Sequence, residues 1–162
     1  MKVSEIMSKE VFVCRPEDNL YEAAALMWDN DIGALPVVND HSKVIGMITD
    51  RDICMCAYTK GRALSDLAVH SAMSRQIHSC AADDKVAAAE EKMILFKVRR
   101  LPVLDATGLP VGILSLNDIA LHAGKKNGKD LEPDQVVQVL ASVCEPRAKR
   151  WQAGPEVQQL TI

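Results

Sequence analysis

Two short constellations in this chain carry polar chemistry. Thr49 and Asp52 stand three apart in Val44-Ile45-Gly46-Met47-Ile48-Thr49-Asp50-Arg51-Asp52-Ile53, and Ser115 and Asp118 stand three apart in Val111-Gly112-Ile113-Leu114-Ser115-Leu116-Asn117-Asp118-Ile119. In each, an apolar run that reads as a buried strand passes directly into a helix start. A hydroxyl and a carboxylate at such a junction face one cleft beside unpaired N–H groups of the first helical turn. Those are the parts needed to hold a ribose diol and a phosphate. Asp50 and Asp52 do not form a working carboxylate pair, because positions two apart on a helix point away from each other. No nucleophile–base pair and no P-loop accompany these residues, and His41, His70 and His122 have no partners at metal-ligand spacing. The reading is therefore a binding site, without catalysis and without a metal.

What must position these residues is a duplicated unit. Sliding the chain by 66 positions aligns residues 3–56 with 69–122 without a gap. Met7-Ser8 meets Met73-Ser74, Cys14 meets Cys80, Asp18 meets Asp84 and Met27 meets Met93. Leu35-Pro36-Val37 meets Leu101-Pro102-Val103, Gly46 meets Gly112, and Asp52-Ile53 meets Asp118-Ile119. Ungapped agreement at so many structural marks signals a duplication. The recurring methionines Met7, Met27, Met73 and Met93 read as core fillers.

The first copy predicts a strand over 11–14 stopped by Pro16, then a helix capped by Asp18 or Asn19 with Leu20, Ala23, Ala24 and Met27 on one face. Strands over 34–38 and 44–48 follow as a hairpin around Asn39-Asp40-His41-Ser42, then a helix over 51–58. The second copy repeats the order with strands over 77–80, 101–104 and 111–114 and helices over 84–96 and 117–122. The fold class is α+β: two β-α-β-β-α repeats, 1–60 and 64–123, packed about a pseudo-two-fold. The short link Thr59-Lys60-Gly61-Arg62 predicts that they share their sheets as one core. A further amphipathic helix is expected over 131–145, opening at Glu132-Pro133-Asp134 with Val136, Val139, Leu140 and Val143 in one stripe. It is expected to dock on the module or on a second subunit. Residues 146–162, with Arg147, Lys149, Arg150 and Trp151, read as a solvated, mobile tail.

Composition narrows the functional classes. The chain has 162 residues, 48% hydrophobic and 25% charged, which are globular values. Aromatics make up only 4%, so the core is aliphatic. A formal charge of −3 offers no bulk attraction to nucleic acid or to an acidic membrane. No apolar run approaches the ~20 residues that span a bilayer, and the start has no signal-peptide pattern. Cys14, Cys54, Cys56, Cys80 and Cys144 form no CxxC, which reads as reduced thiols in a cytoplasmic protein.

The arrangement resembles the tandem CBS-domain pair, also called a Bateman module. The resemblance covers residues 1 to about 123. It rests on Asp31-Ile32-Gly33-Ala34-Leu35-Pro36-Val37-Val38, Gly46 to Ile53, Val98-Arg99-Arg100-Leu101-Pro102-Val103 and Gly112 to Ile119. It extends to small stand-alone bacterial CBS-pair proteins, the mycobacterial hypoxia-response kind among them. The resemblance implies two pseudo-equivalent clefts between the repeats that take adenosine-containing ligands such as AMP, ADP, ATP or S-adenosylmethionine. By position, Asp52 and Asp118 would accept ribose hydroxyls, Thr49 and Ser115 would bond ribose or phosphate, and Arg51 and Asn117 would lie close by. Ile32-Gly33-Ala34 and Val98-Arg99-Arg100 would line both clefts, with Phe12, Met47, His78 and Ile113 flanking a purine. His78 would either meet a base or block the pocket.

The charges make these clefts unequal. Repeat 2 places Arg99 and Arg100 where repeat 1 has Gly33 and Ala34, and guanidinium groups bind phosphate through forked, charge-assisted bonds. The Thr49/Asp52 cleft, with Arg99 or Arg100 across from it, is thus the expected phosphate site. Two functional classes follow. One is a regulatory module that senses an adenosine nucleotide and responds by a change of conformation or association. It would be a homodimer through the CBS helices that acts on a separate protein target. The other is a structural or protein-interaction module whose clefts are empty.

Overall fold

The computed structural model describes residues 1–124 and 133–145 of the chain. Repeat 1 contains α1 (Leu20–Asp29), β1 (Ala34–Val38), β2 (Val44–Thr49) and α2 (Asp50–Lys60). Repeat 2 contains β3 (Cys80–Ala81), α3 (Val86–Phe96), β4 (Arg100–Leu104), β5 (Pro110–Ser115) and α4 (Leu116–Ala123). A last helix, α5 (Pro133–Cys144), follows. The α+β class and the C-terminal helix stand as expected. The segment over 146–162 lies outside the described residues.

Local chemistry explains the element ends. Asn19, rather than Asp18, caps α1 by accepting the Glu22 N–H at 2.8 Å. Helix α2 runs two residues beyond the expected Tyr58 and stops where Gly61 takes the left-handed conformation at φ 59°. Asp31 and Lys97, at matching positions after α1 and α3, both take positive φ, 52° and 50°. They turn the chain from helix to strand, and the hairpins β1–β2 and β4–β5 then pair in identical register. Ala34 faces Thr49 as Arg100 faces Ser115, and each hairpin has an irregularity one residue before its turn-side end.

Two expectations are corrected. The segment 11–14 makes only a single parallel bridge, Cys14 to Val37. Pro16 turns the chain away at once, and the Asp18 carboxylate takes the Arg15 N–H at 2.7 Å. Its counterpart over 77–80 is likewise reduced, to the two-residue β3 at Cys80–Ala81.

Nor do the repeats merge their sheets into one core. Among the described residues there are two sheets, β1–β2 and β3–β4–β5, and two separate buried clusters. What joins them is an exchange of leading segments. The 3-10 turn Val3–Glu5 lies in the cluster of repeat 2, and the 3-10 turn Val69–Ser71 in that of repeat 1. Val3 N–H bonds to Asp84 O at 2.9 Å, and Val69 N–H to Asp18 O at 2.8 Å. Ser8 then lies antiparallel on Ile113, and Ser74 on Met47. Val3 and Val69 are fully buried, each worth about 1.5–3 kcal/mol, so separating the repeats would expose both. Met7 and Met73 fill space over Gly112 and Gly46, while Met27 and Met93 are buried.

Helix α5 breaks the pseudo-symmetry. It packs on α3 and α4, burying Val136, Val139 and Val143 in the repeat 2 cluster with Leu140 beside them. The helix thus docks on its own module.

Candidate functional site

The two hydroxyl–carboxylate pairs sit where β2 meets α2 and where β5 meets α4, and each first satisfies itself. Thr49 Oγ1 donates to Asp52 Oδ2 at 2.7 Å, and the same oxygen accepts Thr49 N–H at 3.0 Å. Asp52 N–H in turn donates to Thr49 Oγ1 at 3.2 Å. Ser115 and Asp118 repeat this with bonds of 2.6, 2.8 and 3.3 Å. These are reciprocal capping boxes, which pair orphan N–H groups at the helix start. The spacing that suggests a ribose clamp therefore also has a structural use.

The second carboxylate oxygens differ. Asp118 Oδ1 accepts from Ser8 Oγ at 3.3 Å. The matching Ser74 hydroxyl instead donates to Gln76 O at 3.3 Å. Among the described residues Asp52 Oδ1 accepts no hydrogen bond, which leaves the half-buried carboxylate one open acceptor.

Two clefts lie beside these helix starts. The larger, about 470 Å³, runs between α1 and α2 of repeat 1, where Asp31, Ile32, Gly33 and Asp50 meet Arg100 and Asn117 of repeat 2. A β-carbon at Gly33 would stand 3.0 Å from Asp50 Oδ2 and 3.1 Å from Arg100 Nη2. Glycine therefore lets the guanidinium cross from one repeat to the other. The smaller cleft, about 210 Å³, is lined by Arg99, Arg100, Ser115, Leu116 and Asn117, and α5 adds Leu140 and Cys144. Arg100 and Asn117 border both.

Ile32, Gly33, Arg100 and Asn117 thus gather in one cleft, and Arg99, Ser115, Arg100 and Asn117 in the other. The remaining candidates lie elsewhere, and Thr49, Asp52 and Asp118, held in the capping boxes, line neither cleft. Arg51 is exposed, and its N–H bonds to Asp50 Oδ1 at 2.7 Å. Ala34 is buried in β1, Val98 packs on the repeat 2 cluster, and Ile113 pairs with Ser8. His78 stacks on Phe96 with ring centroids 3.7 Å apart and planes 14° apart, and this contact orients the imidazole. Phe12 packs on the repeat 1 cluster, and Met47 pairs with Ser74.

Sequence reasoning missed the acidic edge of the larger cleft, although Asp31 and Asp50 adjoin the motifs that pointed to it. It also missed Leu140 and Cys144, which reach the smaller cleft only because α5 docks where it does. One further polar group sits under α5. Glu90 of α3 is 2% exposed; its Oε2 accepts from Gln135 Nε2 at 3.5 Å, and its Oε1 has no partner among the described residues. Burial pushes this carboxyl above the usual range. Among the described residues no cluster of three or more His, Cys, Asp or Glu is arranged to hold a metal ion, and no helix is long and apolar enough to cross a membrane.

Comparison with known proteins gives the same architecture. Hypoxic response protein 1 of Mycobacterium tuberculosis is 31% identical over 144 residues, spanning 89% of this chain and 94% of that protein. The CBS domain-containing protein YhcV of Bacillus subtilis is 34% identical over 120 residues, 74% of this chain and 84% of that one. Among solved structures, the CBS domain pair of protein MJ0100 in complex with 5'-methylthioadenosine and S-adenosyl-L-methionine superposes with a TM-score of 0.70. It is 27% identical and covers 76% of this chain and all of that one. The CBS domain model matches twice, over residues 3–57 and 65–124, one match for each copy of the duplicated unit with its capping box. This chain belongs to the CBS-domain family, as a tandem pair.

Proposed function

We propose that the chain is a non-catalytic regulatory module that binds an adenosine-containing ligand between its repeats. The observation that carries this reading is the open Oδ1 of Asp52 in the first turn of α2, the helix whose Asp50 and Ile53 line a cleft that Arg100 and Asn117 enter from the opposite repeat. A ribose hydroxyl donates to that oxygen without breaking the capping box, and the guanidinium takes the charged end of the ligand. Thr49, Asp52, Gly33 and Arg100 form the principal half-site. Ser115 and Asp118 form a weaker one, since Asp118 is already doubly engaged and α5 narrows its cleft. Arg100 faces two carboxylates, Asp31 and Asp50, across the larger cleft. That balance favours a monophosphate or zwitterionic tail over a triphosphate, so AMP or S-adenosylmethionine should bind better than ADP or ATP. The similar CBS domain pair of MJ0100, in complex with 5'-methylthioadenosine and S-adenosyl-L-methionine, supports the ligand class.

A ligand touching both repeats biases their relative arrangement only through a difference in affinity between the two states. We place the readout in association, as a homodimer through the helices or with a separate protein target in the cytoplasm. The test is to denature the purified protein and assay released nucleotide, then to record thermal melts with AMP, ADP, ATP and S-adenosylmethionine. A ligand at one hundred times its dissociation constant stabilises by about 2.7 kcal/mol. No released nucleotide and no shift with any of the four would leave the second reading, a structural module with empty clefts. The Asp118 carboxylate, engaged on both oxygens, favours that reading for the smaller cleft.

A further inference from the structure

We infer that α5 is a built-in plug: docked, it fills the groove between α3 and α4 and narrows the Ser115 cleft, and ionisation of Glu90 beneath it sets it free. The duplication shows what the plug covers. Helix α5 packs on α3 and α4, where Gln135 reaches Glu90 and Glu145 accepts from Lys97 Nζ at 2.7 Å. Subtracting 66 takes Glu90 to Ala24, Lys97 to Asp31, Arg99 to Gly33 and Leu116 to Asp50, and all four line the larger cleft. Among the described residues, α5 thus fills on repeat 2 the space that is open on repeat 1. What it leaves is the cleft of about 210 Å³, walled on one side by Leu140 and Cys144. That is below the roughly 300 Å³ at which small-molecule pockets begin, whereas the larger cleft is above it.

The seat under the plug is conditional. Helix α5 is held by Val136, Val139 and Val143, by the Lys97–Glu145 pair at the surface, and by one long bond from Gln135 Nε2 to Glu90 Oε2 at 3.5 Å. Glu90 is the one charged side chain buried among the described residues, and its Oε1 has no partner there. An apolar residue in its place would hold α5 at every pH, whereas a carboxyl holds it best while protonated. Burial keeps this carboxyl above its ordinary 4.5, and undocking returns it to water. Docking is therefore firmest below about pH 4.5 and weakens as pH rises to the docked value. Other charges on the packed elements do not take this role. Glu91 is exposed, Lys92 is bonded to Asp84, Arg100 of β4 lies by Gly33, and Asp118 of α4 is in its capping box. His122 of α4 and Asp134 of α5 do not contribute to the raised carboxyl, whose one cause is burial. Lys97 holds Glu145 below its ordinary 4.5, so that pair weakens only in more acid solution, with the opposite sign.

The test is hydrogen exchange on the full chain, read by mass spectrometry over α5 as protection factors, which remove the intrinsic pH dependence. From about pH 5 to pH 8, protection of α5 should fall by about threefold or more while that of β4 and β5 holds. Glu90→Gln should keep α5 at its pH 5 level throughout. Gln135→Lys sets a cation against the ionised carboxylate and should also stop the fall. Circular dichroism checks that both variants fold. Protection that is flat in the unmutated chain, that falls equally in Glu90→Gln, or that is lost only with the whole module would overturn the release. Leu116, 7% exposed in the smaller cleft, then reports on its opening. As Leu116→Cys it should react with a thiol reagent at pH 8 severalfold faster than when combined with Glu90→Gln; equal rates would overturn the plug. Only the last measurement rests on the proposed ligand. At pH 8 the unmutated chain should bind a second equivalent of AMP that Glu90→Gln does not. One equivalent in both would overturn control of the second site, and AMP binding to neither would count against the ligand, with exchange and thiol rates still deciding the plug.

Discussion

The carbonyl oxygen of Ser74 lies 2.7 Å from where a β-carbon on Gly46 would stand. That close approach is how the leading segment of repeat 2 lies down on the hairpin of repeat 1. At the symmetric position Gly112 the nearest backbone atom, Ser8 O, is at 3.0 Å, and the closest atom is the mobile Met7 Sδ at 2.5 Å.

The two glycines should therefore differ in cost. Gly46→Ala is expected to destabilise the chain by about 1–3 kcal/mol, because backbone must move. Gly112→Ala should cost less, since Met7 swings aside. Urea unfolding of both variants measures this. Equal costs would mean that the segment over Gly46 yields as freely as a methionine side chain.

Asp52 has two tasks, and substitutions should separate them. Asp52→Ala removes an acceptor from the capping box and should cost about 0.5–2 kcal/mol without any ligand. Asp52→Asn keeps one amide oxygen for that box and should restore most of the loss. Both should suppress the nucleotide-dependent rise in Tm if Oδ1 holds the ribose. A full rise in Asp52→Asn would remove this residue from the site.

Glu90 predicts a pH dependence of known sign. Its carboxyl is raised by burial above the ordinary value of 4.5, so the folded chain holds a proton that the unfolded chain releases. Stability contributed by the neutral form is then complete below about pH 4.5 and is lost as pH rises through the higher folded value. Glu90→Gln should be the more stable protein at pH 8, and the gap should close as pH falls towards 4.5. The gap is read as the difference in Tm between the two proteins across that range, which cancels the other titrating groups. A gap constant with pH would show that Glu90 does not ionise on unfolding.

The thiols should fall into two kinetic classes. Cys54 and Cys144 are exposed, whereas Cys14, Cys56 and Cys80 are buried. Burial pushes the Cys14 thiol up to about 12 and Cys80 to about 11, so neither forms much thiolate at pH 8. A thiol-reactive dye should modify Cys54 and Cys144 quickly and the others only in denaturant. Fast modification of Cys80 would indicate that β3 opens readily from β4.

The repeat, the hairpins and both helix starts were legible because each rests on local chemistry. Alternating burial, turn residues and an S/T-x-x-D box act within a few residues, and all are visible in the chain. The first strands read longer than they are, since apolar character alone cannot tell a strand from a segment that pairs once and turns at Pro16. The shared core was misjudged for a related reason: a valine at position 3 looks the same whether it packs on its own repeat or on the other. That Val3 and Val69 change places is a matter of chain path, which no spacing records.

The candidate site divides along the same line. Residue types alone marked Thr49, Asp52, Ser115, Asp118 and the Arg99-Arg100 pair, because hydroxyl, carboxylate and guanidinium have fixed chemistry wherever they lie. Only the tertiary structure decided that Arg100 rather than Arg99 crosses to Gly33, into a cleft that Asp31 and Asp50 also line. It alone placed α5 over one half of a nearly symmetric module. The reason is that charge and hydrogen-bonding capacity belong to the residue, whereas the partner that meets them is set by which surfaces folding brings within a few ångströms.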